Sequence, residues 1–298
     1  MIALALFAAL TAAPTNVVSV LASAQSGDTV QFQGTTFDHV ALKGRKFSPP
    51  LTLALKGATL VNLHLDATQG VVITDGAFKA LPGDWLCAIY IGGGSAHVKI
   101  SGPTIDASGT CGVTLRDGSD LSLENTSIDN SRVAVPVQNV DGFRVVNVTM
   151  TRMSVDGIDL YSSRHGYVAY NVCAGSYAVD GSHRDCIQLA DTVSGAPPTS
   201  DIEIAFNLAH GDTQGFTSFR PNPGRLRINI HDNTAVLSQP QGLGFYDGQD
   251  SRVTSNHVWT LPSALNRSSV NIVGGNTVES CNAAGAGAGK SAWADKCP

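Results

Sequence analysis

Between Ser154 and Asp191 the chain reads SVDGIDLYSSRHGYVAYNVCAGSYAVDGSHRDCIQLAD, and within it Ser182-His183-Arg184-Asp185 is the densest group of acid, base and cation. An imidazole ionises near pH 6.5, so His183 is suited to take or give a proton near neutrality. Asp185 is close enough to orient or polarise that ring, and Arg184 is a fixed cation matched to a carboxylate. Such parts suit β-elimination from a uronic acid. A cation neutralises the substrate carboxylate and so acidifies the C5 proton, a base removes that proton, and an acid protonates the leaving oxygen. The expected roles are His183 as base, Arg184 or Arg220 as cation, Asp185 and Gln188 as positioning groups, and Tyr161 or Tyr246 as acid. The plainer account is that solvated turns carry His, Arg and Asp for solubility, and that Asp156 and Asp159 form turns.

Strand alternation is what must position these groups. With Ile158 and Leu160 inward, Asp159 and Tyr161 point out. The following segments put Gln188, then Thr217 and Phe219, then Gly244 and Tyr246 at equivalent outward positions. One face then carries Asp159, Gln188 and Thr217 in a column flanked by Tyr161 and Tyr246, with Asp156 at the turn. Arg164, His165 and Arg220 are expected on nearby loops, as further parts of the substrate pocket. Gly157, Cys186, Gly215 and Gly242 stand just before the inward residues and suggest a shallow floor, although a backbone reason at a corner serves glycine equally well.

The segments repeat. Taking Ala134, Ile158, Phe216 and Leu243 as the first inward residues, an asparagine follows 13 residues on each time, at Asn147, Asn171, Asn229 and Asn256. The unit beginning at Ile187 reaches Asn207 only after 20, a seven-residue excess within DTVSGAPPTSD that would wall the site. A period of 20 to 30 residues built of short strands and turns implies stacked rungs, each burying its apolar face on the next, as in a parallel β-solenoid. The asparagines fit a left-handed corner and amide bonding from rung to rung.

Composition agrees. Of 298 residues 43% are hydrophobic and only 14% charged, against roughly 25% in typical domains, and 31 glycines supply turns. The net charge of -5 gives no basic footprint for nucleic acid. Residues 1–14 read as the apolar part of a secretory signal, without a basic n-region, or else as a buried cap at one end of the fold. They are too short to span a bilayer. Val17 to Ala24 has helical spacing and ends at Gln25-Ser26-Gly27-Asp28. Six cysteines fit an oxidising compartment, secreted or periplasmic, with Cys87 and Cys111, Cys173 and Cys186, and Cys281 and Cys297 as one pairing among about 15. No zinc spacing is present. The expected organisation is a signal at 1–14, one β-helix domain at 15–280 and a disulfide-clipped tail at 281–298.

Over residues 17–280 this pattern resembles the right-handed parallel β-helix proteins of the pectate lyase-like superfamily, which holds polysaccharide lyases, uronan epimerases, polygalacturonase-like hydrolases and phage tailspikes. The opening VVSVLASAQSGDTVQFQGTTFDHVALKG is similar to the capping helix and first rung of such proteins. The resemblance implies an all-β, right-handed parallel β-helix with a short N-terminal capping helix, acting on an acidic polysaccharide as a monomer. The leading expectation is a lyase. A second is an inverting hydrolase: VDGID and Arg184-Asp185-Cys186 resemble the NTDGID and GDDC segments of polygalacturonases, and His210-Gly211 their GHG segment, which makes Asp156 and Asp185 the acid and base. Arg184 in place of an aspartate favours elimination. The mannuronan epimerase signature Tyr-Gly-Phe-Asp-Pro-His is absent. No cofactor is required, the calcium site of pectate lyases is not evident, and calcium would have to use oxygen ligands. A third expectation is a carbohydrate-binding or adhesive β-helix in which Tyr161, Phe219 and Tyr246 matter and His183 does not.

Overall fold

The computed structural model describes residues 8–82, 87–177, 181–190, 197–218 and 225–286. Its alternating segments coil into a right-handed parallel β-helix. A central rung consists of Ile158–Tyr161, Arg164–Ala169 and Val172–Ala174, and each strand pairs in parallel with its equivalents one rung before and after. The first two strands of the rung belong to one large sheet, and the third to an 11-stranded sheet on the opposite side. Apolar residues from every rung meet in one continuous core, where Val135, Ile158, Ile187, Phe216 and Leu243 stack in register. Each such side chain contributes about 1.5–3 kcal/mol by leaving water.

The helix Val17–Ser23 lies at the N-terminal end and buries Val17 and Leu21 against the first rungs. Arg45 donates to the carbonyls of Leu21, Ala22 and Ala24, which the ended helix leaves without partners. Ala9–Ala12, inside the expected signal, pairs in parallel with Thr29–Phe32 as an end strand that buries Ala12 and leaves Ala9 and Thr11 exposed. Residues 1–7 lie outside the described residues.

The corner between the second and third strands differs from the sequence expectation. An amide ladder runs through Asn171, Asn207, Asn233, Asn256 and Asn282, each Nδ2 donating to the next Oδ1 at 2.9 Å. Asn147 and Asn229 are not members. Ile158 pairs with Val135, not Ala134, so the landmark in that rung is Val148, whose N–H donates to Asn171 Oδ1. Asn229 sits opposite Glu203 and Arg252 on an outer strand face. Asn233 follows Phe216 by 17 residues, so this unit carries a second excess, of four residues beyond the usual 13. The left-handed corner conformation belongs to the preceding residue: φ is 59° at Tyr170, 56° at Phe206 and 53° at Asp232. Along this ladder the two tasks expected of one asparagine are divided between neighbours, whereas Asn147 carries both, with φ 55° and its Nδ2 donating to Asn125 Oδ1 at 2.8 Å.

Cys87–Cys111 and Cys173–Cys186 are disulfide-bonded, with Cα atoms 4.5 and 5.5 Å apart. Cys297 and the tail from 287, Phe219, Arg220 and the segment 191–196 of the expected wall lie outside the described residues.

Candidate active site

The turn before Ile158–Tyr161 and the turn before Asp185–Leu189 lie one above the other, because Gly157 N–H donates to the Asp185 carbonyl at 2.8 Å. A Cβ on Gly157 would stand 2.4 Å from the Cys186 carbonyl oxygen and 2.9 Å from Cys173 Sγ, so only glycine permits this approach. The disulfide then fixes Cys186, the residue after Asp185. This stacking brings Asp156, His183 and Asp185 together, with one ligand atom of each within 4.8 Å of the others. Asp156 Oδ1 accepts from the Asp185 N–H at 2.7 Å. His183 Nδ1 lies 2.7 Å from Asp185 Oδ2, which also accepts from Gln188 Nε2 at 3.0 Å. Tyr161 Oη donates to Asp159 Oδ2 at 3.1 Å.

The outward column forms as expected, with Asp159, Gln188 and Thr217 in register. The three carboxyl groups of Asp156, Asp159 and Asp185 are nevertheless buried, while the side chain of His183 is 55% exposed. Burial, reinforced by Asp159 and Asp185, pushes the Asp156 carboxyl up to about 9. Burial likewise pushes Asp159 up to about 7, against the hydrogen bond from Tyr161. The Tyr161 phenol is raised beyond the ordinary tyrosine range by burial and by Asp159. His183 is raised above the usual imidazole value by its hydrogen bond to Asp185, which outweighs burial. The cluster therefore holds a proton on Asp156 at neutral pH and places a half-exposed base on a buried carboxylate.

Asp156, His183 and Asp185 each offer one ligand atom, His183 a nitrogen where calcium prefers oxygen, while the buried Asp159 Oδ1 and Asp185 Oδ1 accept no hydrogen bond among the described residues. The residues form a hydrogen-bonded acid–base network.

Other expected members stand elsewhere. Arg184 is buried and pairs through Nη2 with Asp212 at 3.2 Å, while its Nε and Nη1 have no hydrogen-bond partner among the described residues. Arg164 and His165 lie on the strand Arg164–Ala169, not on a loop, and both bind Asp141, at 3.0 and 2.6 Å. His210 is exposed on Leu208–Gly211 in the 11-stranded sheet. Tyr246 is on the same face as Asp159 but three rungs away, about 14 Å at 4.8 Å per rung. Gly157, Cys186, Gly215 and Gly242 are packed against neighbouring chain and make no open floor: a Cβ on Gly242 would stand 2.1 Å from Val258 Cγ1.

The residue that sequence reasoning missed is Arg132. Its carbonyl accepts from the N–H groups of Val155 and Asp156, placing it one rung below the cluster, and its charge is felt at Tyr161. It is exposed and, among the described residues, takes part in no ion pair. A rung-by-rung search for cations at this turn would have found it.

Among solved structures, the chain is similar to an alginate lyase from Paenibacillus sp. str. FPU-7, with 18% identity over 90% of this chain and 98% of that one and a TM-score of 0.66. It is similar to a polygalacturonase from Erwinia carotovora ssp. carotovora, with 14% identity over 94% and 92% and a TM-score of 0.59. It is also similar to PfbA, a surface adhesin of Streptococcus pneumoniae, with 8% identity over 87% and 81% and a TM-score of 0.57. At these identities the likeness is one of fold. No curated protein matches in sequence. The model of the family described as right handed beta helix region matches residues 87–258, more than half of the sequence and the whole of the acid cluster, and the chain belongs to that family.

Proposed function

We propose that this β-helix cleaves an acidic polysaccharide by β-elimination at the Asp156, Asp159, His183 and Asp185 cluster. The observation that carries the reading is the 2.7 Å contact between His183 Nδ1 and the fully buried Asp185. With Nδ1 committed to that carboxylate, Nε2 is the base that takes the C5 proton. The electron pair released forms the C4–C5 double bond as the C4–O bond breaks, and Tyr161 gives its phenolic proton to the leaving oxygen. The environment that raises Tyr161 keeps it protonated until that moment.

An anionic substrate would be repelled by three ionised carboxylates. Burial answers this by keeping Asp156 protonated and Asp159 close to half-protonated at neutral pH, and Arg132 is the exposed cation for the uronate. Alginate- and pectate-cleaving enzymes of the same fold support the substrate class. The two disulfides support an oxidising, secreted or periplasmic location. No helix among the described residues is long and apolar enough to cross a membrane.

A hydrolase reading draws on one observation, the protonated Asp156, which is how a general acid is kept ready. Against it, atoms of Asp156 and Asp185 come within 4.8 Å, whereas an inverting pair is held about 6.5–9.5 Å apart to admit water. The deciding experiment incubates the protein with a panel of uronate polysaccharides and follows ultraviolet absorbance of the unsaturated product together with reducing ends. Elimination raises both. Reducing ends without absorbance overturn the lyase in favour of the hydrolase, and binding without either signal favours an adhesive module.

A further inference from the structure

Two tyrosines lie on the face of the acid cluster, each over a glycine of its own strand. On Ile89–Gly92, a Cβ at Gly92 would stand 2.5 Å from Tyr90 Oη and 2.7 Å from both Cε1 and Cζ. On Gln241–Tyr246, a Cβ at Gly244 would stand 3.3 Å from Tyr246 Cε2. Neither glycine has the left-handed φ that would demand glycine for backbone reasons. The missing side chains therefore serve the rings, which can lie along the strand instead of standing off it.

Tyr90 and Gly244, the glycine under the Tyr246 ring, stand equally many rungs from Asp159. The outward register runs Tyr90, Thr114, Pro136, Asp159 on one side and Asp159, Gln188, Thr217, Gly244 on the other, three rungs each way. Three rungs are about 14 Å, and one rung is close to the length of one sugar residue in an extended chain. Beside Tyr90 stands His64, edge-on at 4.5 Å and 76°, which burial keeps below the usual imidazole value and hence neutral. Tyr246 Oη is held by Gln241 Nε2 at 3.5 Å.

The geometry points to two glycan-stacking subsites, at Tyr90 with His64 and at Tyr246, that grip a polysaccharide on both sides of the acid cluster and make cleavage internal to the chain. A flat aromatic face beside polar groups is what a sugar ring's apolar face and hydroxyls require. The ligand class rests on the function proposed above, but the two subsites do not depend on which bond is broken.

The test uses uronate oligosaccharides of increasing length, with kcat/KM for the wild type and calorimetric binding to the His183→Ala variant, each alone and with Tyr90→Ala, Tyr246→Ala or Tyr90→Phe. Efficiency should rise with length until the oligosaccharide spans both tyrosines. Each alanine change should remove the gain on its own side, raising KM and weakening binding about tenfold, while Tyr90→Phe keeps the ring and the affinity. Melting curves that match the wild type show that the alanine variants are folded. A wild type that binds with this tyrosine dependence but cleaves nothing overturns the lyase reading and sustains the subsites. Length dependence and affinity unchanged in both alanine variants, or no binding by the parent protein at any length, overturns the subsites.

Discussion

Two of the histidine–aspartate pairs among the described residues are nearly identical as hydrogen bonds and opposite in setting. His183 Nδ1 lies 2.7 Å from Asp185, and His165 Nδ1 lies 2.6 Å from Asp141. The histidine side chains are similarly accessible, at 55% and 61%. The carboxylates are not: Asp185 is fully buried beside two more aspartates, whereas Asp141 is 42% exposed beside Arg164. Around the first pair, burial drives Asp156 and Asp159 upward. At the second, the hydrogen bond from His165, with help from Arg164, draws Asp141 below the ordinary carboxylate range. What separates the two pairs is the desolvation of the carboxylate, which is invisible in the dyad's own geometry.

The comparison breaks most easily on activity. In the proposed elimination His183 is the base, so His183→Ala should lower kcat by about 10²–10⁴-fold. His165→Ala should leave kcat within about twofold, since Asp141 is a surface partner. Equal losses in the two variants would mean that burial does not distinguish the pairs, and steady-state rates on the same polysaccharide decide it.

The pH profile sharpens the same contrast. The base must be neutral, so activity rises with pH as His183 loses its proton, and Asp185 sets that limb above the ordinary imidazole value of 6.5. Asp185→Asn removes the carboxylate that holds the proton, so the limb should move to lower pH even as the maximal rate falls. Asp141→Asn should leave the limb where it is. At the alkaline end, ionisation of Asp156 restores charge against the anionic substrate, so KM should climb as pH passes about 9. A profile with the same acid limb in the wild type and Asp185→Asn would remove Asp185 from its orienting role.

Much of this was legible in the chain. The alternation around Ile158 and Leu160 placed Asp159, Gln188 and Thr217 on one outward column, since a period of two leaves a strand no other choice. Asp156, His183 and Asp185 were collected by the rung repeat, which stacks one turn on the next. Arg184 and Arg132 were not, because both lie in turns, where alternation says nothing about side-chain direction. Arg184 is buried against the half-exposed Asp212, and the Arg132 carbonyl meets the Val155 and Asp156 N–H groups from the rung below. The ladder failed by one residue at Ala134 and by four after Phe216, because a fixed count of 13 cannot see where a corner has taken up extra chain. Burial of the carboxylates was likewise hidden, since it comes from packing between rungs far apart in sequence.

Stability should separate the two settings by sign. Asp156 is raised in the fold above its ordinary value of 3.8, so between the two values the folded chain keeps a proton that the unfolded chain has lost. Stability therefore falls as pH rises through that window. Asparagine still accepts the Asp185 N–H and carries no such penalty, so Asp156→Asn should stabilise the protein by on the order of 2 kcal/mol at pH 8 and by little at pH 4.

Asp141 is lowered, and its contribution is present above the ordinary carboxylate value and lost as pH falls through the folded one. Because water reaches the pair, Asp141→Asn should cost less than about 1 kcal/mol at pH 8, and that cost should shrink in salt. Denaturant midpoints at pH 4 and pH 8, with and without salt, measure all of these differences. Destabilisation by Asp156→Asn at pH 8 would mean that its carboxyl is ionised in the fold, and the distinction between a buried protonated cluster and a surface ion pair would fall with it.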